Sequence, residues 1–294
     1  MKKMRFISIA VIALMLALTF AACGDGNSDN TSNSSDGNTA NGGSTSGEDE
    51  FRVGLECNYA PFNWTQTDET EGVVPISSGG YAGGYDVEIA KIIADGLGKK
   101  LVIVKTEWDG LIPSLQSNTI DAVIAGMSPT AERQESVNFS EPYYESTLVV
   151  VVRKDGAFAS AKTLADFDGA KITGQLNTFH YTVIDQIPGA KKLTAMETFP
   201  AMIVALQSGS IDGYVSELPG AVSAQASNPD LTYIEFSAAD GFKASPEDTA
   251  IAVALRKGED GTLARVNEIL NKISKEQREA LMNNAVATQP IVSE

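Results

Sequence analysis

The sequence predicts two similar α/β domains with open, mostly parallel sheets, behind a secretory leader and an unstructured tether. Three observations predict it. Strand-like and helix-like segments alternate through residues 51–294, two stretches recur at equivalent places in that alternation, and 294 residues suffice for two domains of ordinary size.

The elements follow in chain order. Lys2, Lys3 and Arg5 precede a mostly apolar run from Phe6 to Phe20, which ends in Ala21, Ala22 and Cys23. This is the layout of a secretory leader, residues 1–22. The run is shorter than the roughly 20 apolar residues of a spanning helix. Its small-small-Cys ending resembles the lipobox of bacterial lipoproteins, in which the cysteine carries the lipid; Phe20 stands where that motif usually has Leu. Residues 24–50 are Gly, Ser, Asn, Thr, Asp and Glu with no aromatic and almost nothing apolar. Such a stretch buries too little surface to offset the entropy of folding, and reads with Cys23 as a lipidated tether over 23–50.

Beyond the tether, Arg52 to Cys57 reads as a strand. Asp86 is a good N-cap for a helix carrying Val87, Ala90, Ala94 and Leu97, which stops at Gly96 or Gly98. Leu101 to Val104 is the next strand, Asp109 can cap a short helix with Leu111, Ile112 and Leu115, and Ala122 to Ala125 suits a buried parallel strand. The pattern then recurs. Leu111 to Gly126 (LIPSLQSNTIDAVIAG) matches Met202 to Glu217 (MIVALQSGSIDGYVSE), and Arg52 to Tyr59 (RVGLECNY) parallels Lys171 to Thr178 (KITGQLNT). Residues 66–83 form a Gly- and Ser-rich insertion of open role, and Ser274 with Gln277 reads as a capping box for a C-terminal helix.

Composition narrows the function. A formal net charge of −16 argues against nucleic acid and permits a cationic ligand. Cys23 and Cys57 are the only cysteines and His180 the only histidine, so neither a disulfide framework nor an ordinary zinc site is expected, and no cofactor is implied. Open parallel sheets bind ligands outside the strand carboxyl ends. Those ends are Glu56 to Phe62 and Gly126 to Arg133 in the first half, and Gln175 to His180 and Ser216 to Pro219 in the second.

The motifs VGLECNYAPF (53–62), GYDVEIAKIIADGLG (84–98), EWDGLIPSLQSNTIDAVIAGMSPTAER (107–133), VNFSEPYYES (137–146) and DGYVSELP (212–219) together resemble the bacterial extracellular solute-binding proteins, family 3 type, of polar amino-acid ABC importers. The resemblance spans about residues 51 to 285. It implies a type II periplasmic-binding-protein-like fold, with two lobes joined by two hinge strands and the ligand between them. Lobe 1 is then 51–147 with 244–294, and lobe 2 is 148–243.

It also implies a site. A free amino acid presents a carboxylate and an ammonium. Arg133 can grip the carboxylate bidentately, from the first turn of a helix begun by Ser128 with Pro129 at its first position; Ser128 assists, and Gly126 lets the backbone approach. Thr178 reaches the same carboxylate from the second lobe, although Asn177 precedes it where the family usually has Gly. Glu217 takes the ammonium in place of the usual Asp. Tyr59 and Trp108 match aromatics that sandwich the ligand side chain, Glu56 meets its distal polar group, and His180 touches ligand or caps the following helix. A carboxylate at Glu56 favours lysine, arginine or ornithine; glutamine-specific relatives use the same position for an amide. Trp64 is core or hinge packing.

The implied partners are a free amino acid, ABC permease subunits and the membrane, reached through the lipid on Cys23. A monomer is expected, outside the cytoplasm on the outer face of a Gram-positive-type membrane or in a periplasm. Two other classes use this fold: dehydratase-like enzymes and amino-acid sensors. For catalysis, Cys57 and His180 are the available nucleophile and base, and nothing in the sequence places them together.

Overall fold

The computed structural model describes residues 50–290. Cys23, the leader and all of the tether but Glu50 lie outside the described residues. Among these residues no helix is long and apolar enough to cross a membrane.

Two five-stranded sheets carry the architecture. In the first, the order is Lys100–Lys105, Glu50–Leu55, Ala122–Val123, Ala254–Arg256 and Val137–Phe139. The first three are parallel, with Phe51 opposite Leu101 and Val53 opposite both Ile103 and Ala122. Ala254–Arg256 runs antiparallel to both its neighbours. The second sheet repeats this plan in the order Lys191–Lys192, Lys171–Thr173, Gly213–Glu217, Leu148–Arg153 and Leu231–Ile234, again with three parallel strands and an antiparallel fourth. The sheets are therefore more mixed than expected. The reason is topological: each fourth strand is where the chain enters one lobe from the other, so it arrives from the opposite end. Beside these crossings, Tyr144–Glu145 pairs antiparallel with Ala250–Ile251 as a two-stranded connection.

The internal repeat is real at the level of hydrogen bonds. In the first lobe the Asp121 carboxylate accepts from the Arg52 amide at 2.8 Å and the Asp121 amide donates to the Arg52 carbonyl at 2.7 Å. In the second, Asp212 accepts from the Lys171 amide at 2.9 Å and donates to its carbonyl at 2.8 Å. Both aspartates stand just before the third strand of their sheet's order and hold the second, at Arg52 and Lys171, by its backbone.

Local chemistry corrects three assignments. The first helix is Tyr85–Leu97, capped by Gly84 and closed by Gly98 in the left-handed conformation (φ 70°). Asp86 is not its cap but a fully buried first-turn residue. Asp109 lies inside the short turn Trp108–Gly110 that leads into helix Leu111–Gln116, whose cap is Gly110. Thr130, not Ser128, caps helix Ala131–Ser136, because its hydroxyl accepts from the Arg133 amide. The expected Ser274–Gln277 capping box is present on helix Lys275–Thr288. The insertion after Gln66 returns as strands Val74–Pro75 and Tyr81–Gly83, which join Asn63–Gln66 and Asn58–Tyr59 in a small sheet. Trp64 packs there, with its indole donating to Gln66 at 2.9 Å.

Asp86 ties this scaffold to the site. Its carboxylate accepts from the Tyr143 hydroxyl at 2.7 Å and the Asn63 amide at 2.8 Å. The Tyr143 hydroxyl also accepts from the Gly126 amide at 3.2 Å, and the Tyr143 carbonyl accepts from the Tyr85 hydroxyl at 2.8 Å. Tyr143 directly precedes the connecting strand, so one buried network joins the first helix, the connection between lobes and the Gly126 loop.

Burial, with no cation in contact, pushes the Asp86 carboxyl up to about 7. The folded protein therefore holds a proton that the unfolded chain, with an Asp near 3.9, has released. Stability from this group is complete below about pH 4 and is lost as pH rises towards 7. Asp86→Asn is expected to lessen the fall in stability across that window in thermal melts, with Glu56, itself raised to about 8, supplying the remainder; the Asn63 Oδ1 can receive the new amide after a flip. An unchanged pH profile would remove Asp86 as its source.

Candidate functional site

The site forms where the carboxyl ends of the two sheets meet. Glu56 immediately follows strand Glu50–Leu55 and is 2% exposed. Its Oε2 accepts from the Gln175 side chain of the second lobe at 3.1 Å, while its Oε1 has no partner among the described residues. Burial pushes its carboxyl up to about 8, and the nearby carboxylates Glu107 and Asp86 add to the rise. A buried carboxylate without a cation is costly. This position therefore asks for a donor, preferably a charged one.

Arg133 supplies the positive charge. Its Nη1 donates to the Ser128 carbonyl at 2.9 Å, its Nη2 donates to the Asn177 carbonyl of the second lobe at 3.0 Å, and its guanidinium lies 5.1 Å from the centre of the Trp108 ring. Burial lowers it to about 10, which leaves it a cation at neutral pH. Its helix has six residues, and the Arg133 amide is already taken by Thr130. Anion binding at this place thus rests on the guanidinium rather than on free helix amides. Gly126 reaches the site with φ +61°, and a Cβ there would stand 3.0 Å from the Tyr59 ring.

Glu217 ends strand Gly213–Glu217 of the second lobe and is 2% exposed. The Tyr59 hydroxyl donates to its Oε2 from across the cleft, and His180 Nε2 stands 3.4 Å from its Oε1. His180 Nδ1 is buried without a partner among the described residues. The Thr178 hydroxyl donates to the Gln175 carbonyl at 2.7 Å, so its proton is committed to its own loop. His180 lies within the short helix Phe179–Thr182, whose cap is Thr178.

Tyr59, Trp108, Gly126, Ser128, Arg133, Thr178 and His180 line one cavity of ≈ 10 Å³, about the volume of a single water centre. Glu56 and Glu217 join it through Gln175, Tyr59 and His180. All nine residues expected from sequence thus fall in one cluster. Their arrangement differs from the expected sandwich: Tyr59 stacks on Phe199 at 4.0 Å and 9°, and Trp108 covers Arg133 instead. Cys57 is no nucleophile for His180. It is 1% exposed, burial pushes its thiol up to about 12, and its Sγ faces the Leu55 carbonyl.

Gln175 and Phe199 were missed among the site residues, and the repeat carried a signal for both. Gln175 holds in KITGQLNT the place of Glu56 in RVGLECNY, and Phe199 precedes Met202 as Trp108 precedes Leu111. The two lobes thus meet through equivalent positions.

Residues 51–285 match the model of the bacterial extracellular solute-binding proteins, family 3. The fold and the cleft define a two-lobed solute-binding protein, and the chain belongs to that family. A Campylobacter jejuni protein named "Probable histidine-binding protein" is 32% identical over 194 residues, which cover 65% of this chain and 70% of its own. The "ABC transporter arginine-binding protein 1" of Escherichia coli is 28% identical over 231 residues, covering 78% and 86%. Among solved structures, an amino acid ABC transporter substrate-binding protein from Streptococcus pneumoniae bound to L-arginine superposes with a TM-score of 0.71 at 30% identity, covering 81% of this chain and 94% of that one. These likenesses support the type II fold.

Gly126→Ala is expected to destabilise the fold by about 1–2 kcal/mol, from the left-handed backbone alone, with more from the crowded Tyr59 ring. Urea denaturation measures it. A change within a few tenths of a kcal/mol would show that the loop relaxes freely.

Proposed function

We propose that this protein is the substrate-binding component of an ABC amino-acid importer, and that it captures a free amino acid with a cationic side chain: arginine, lysine or ornithine. Glu56 carries the reading, as a buried carboxylate with one oxygen unpaired and no cation beside it. Charge balance supports it. The cleft gathers one guanidinium, Arg133, and two carboxyl groups, Glu217 and Glu56, the second of which, raised to about 8 by burial, gives up its proton when a cation pairs with it. A cationic amino acid carries the complement, two positive groups and one negative. In this assignment Arg133, with Ser128 and the backbone N–H of Thr178, holds the α-carboxylate. Glu217 holds the ammonium with Tyr59 and His180 behind it, and Glu56 with Gln175 holds the distal group. Closure of the lobes around the ligand then provides the shape that docks on a permease. The arginine-binding names among the similar proteins point the same way.

Gln175 favours a second reading. Its amide already shares Glu56, so a neutral amide such as that of glutamine could enter the same exchange. A thermal-shift scan against the twenty amino acids and ornithine separates the two. A ligand of the folded state stabilises it by about 2.7 kcal/mol at one hundred times its dissociation constant and so raises the midpoint. Arginine, lysine or ornithine is expected to do so. Glu56→Gln is expected to weaken that binding about 10- to 100-fold, the worth of a charge-assisted hydrogen bond. A shift by glutamine alone overturns the cationic assignment and keeps the importer. Silence of every amino acid, in the wild type and in Arg133→Ala alike, overturns both and favours an enzyme.

The proposal extends to the N-terminus. Cys23 is taken as the lipidated first residue of the mature chain, holding the receptor outside the cytoplasm on the membrane face. Cys23→Ser is expected to move the protein from the membrane fraction to the medium or periplasm. Retention on the membrane would exclude lipid on Cys23 as the anchor.

A further inference from the structure

We propose that Asn177 is a latch that keeps the cleft closed after the ligand has entered, and so sets how slowly the ligand leaves. The proposal rests on the reading of the cleft as a ligand site.

Asn177 is one of three non-glycine residues with positive φ among the described residues, at 54°. Asparagine tolerates this left-handed region better than most side chains. The turn aims two groups of one residue at the opposite lobe. Its carbonyl accepts from Arg133 Nη2 at 3.0 Å, and its side-chain Nδ2 donates to Asp109 Oδ1 at 2.9 Å. One residue thus faces a cation with its acceptor and an anion with its donor. Both partners sit on the loops of the first lobe that carry Trp108 and Arg133.

The other polar contacts across the cleft are of a different kind. Tyr59 to Glu217 and Gln175 to Glu56 use groups assigned to the ligand, so a ligand competes with them. The bond from the Asn177 side chain to Asp109 uses no such group. It lies beside Trp108, Phe179 and Arg133, and neither Asn177 nor Asp109 lines the small interior cavity. A contact that forms only on closure, and that the ligand does not displace, lowers the closed state relative to the open one. Its effect falls on dissociation rather than association. Both residues are solvent-exposed, so the expected effect is a few-fold.

The test uses L-arginine as probe, with its dissociation followed by stopped-flow tryptophan fluorescence. Asn177→Gly keeps the backbone conformation and the bond from Arg133 but removes the latch. Asp109→Ala removes it from the other side. Each is expected to raise the dissociation rate about two- to fivefold with association unchanged, and the double variant is expected to match the single ones. Asn177→Asp places like charges together and is expected to raise the rate further. Combining it with Asp109→Asn restores the pair in reverse and is expected to return the rate to wild type. Rates equal to wild type in both single variants, or additive effects without rescue by the swap, overturn the latch. If L-arginine does not bind the wild type, the latch is judged on the free protein by single-molecule fluorescence transfer between the lobes. A smaller closed fraction in both single variants supports it; identical distance distributions in wild type and variants overturn it.

Discussion

The protein is organised around the cost of bringing charge out of water. Glu56, Arg133 and Glu217 converge on one small space, where an unpartnered ion costs several kcal/mol and burial raises the Glu56 carboxyl to about 8. Neither lobe alone can meet that cost. Glu217 of the second lobe takes its hydrogen bond from Tyr59 of the first, Glu56 of the first from Gln175 of the second, and Arg133 donates across to Asn177. Closure is thus a polar event between groups that water would otherwise satisfy. Such an arrangement can be reversible: open, each charge is solvated; closed, each needs a partner, and a ligand of complementary charge is the better one.

The scaffold that makes this meeting possible is a duplicated one. Asp121 and Asp212 make the same backbone bonds in the two lobes, so the two sheets present equivalent edges. Function lies in where the equivalent positions differ. Glu56 faces Gln175, so one side brings charge and the other an amide. Trp108 covers Arg133 while Phe199 stacks on Tyr59. Gly126 opens space where its counterpart Glu217 fills it with a carboxylate. A symmetric frame with asymmetric side chains gives the cleft a direction, and an amino acid, charged differently at its two ends, needs one.

The frame also explains how a binding loop can feel the connection between lobes. Asp86 and Tyr143 hold the Gly126 amide from below while Tyr143 leads into the connecting strand. Hydrogen bonds within a water-poor interior are strong and costly to break. The loop and the connection are therefore tied together by buried hydrogen bonds.

The class of fold, the repeat and the gathering of the named residues at one cleft were legible along the chain. Alternating periodicity and the two recurrent stretches are local properties, and the motifs carry their spacing with them. All nine expected site residues consequently come together, and the capping box at Ser274 follows from four consecutive residues. Tertiary structure alone decided what the buried polar groups do. Asp86 reads as a helix cap in its own segment, yet Tyr143 and Asn63, distant in sequence, draw its carboxylate inward. Ser128 reads as a helix start, yet Thr130 takes the cap and leaves Ser128's carbonyl for Arg133. Tyr59 stacks on Phe199 instead of facing Trp108, and Asn177 reaches Asp109, because those partners lie on the other lobe. Periodicity and caps depend on neighbours along the chain; the pairing of buried charges depends on neighbours in space, and only the closed pair of lobes supplies them.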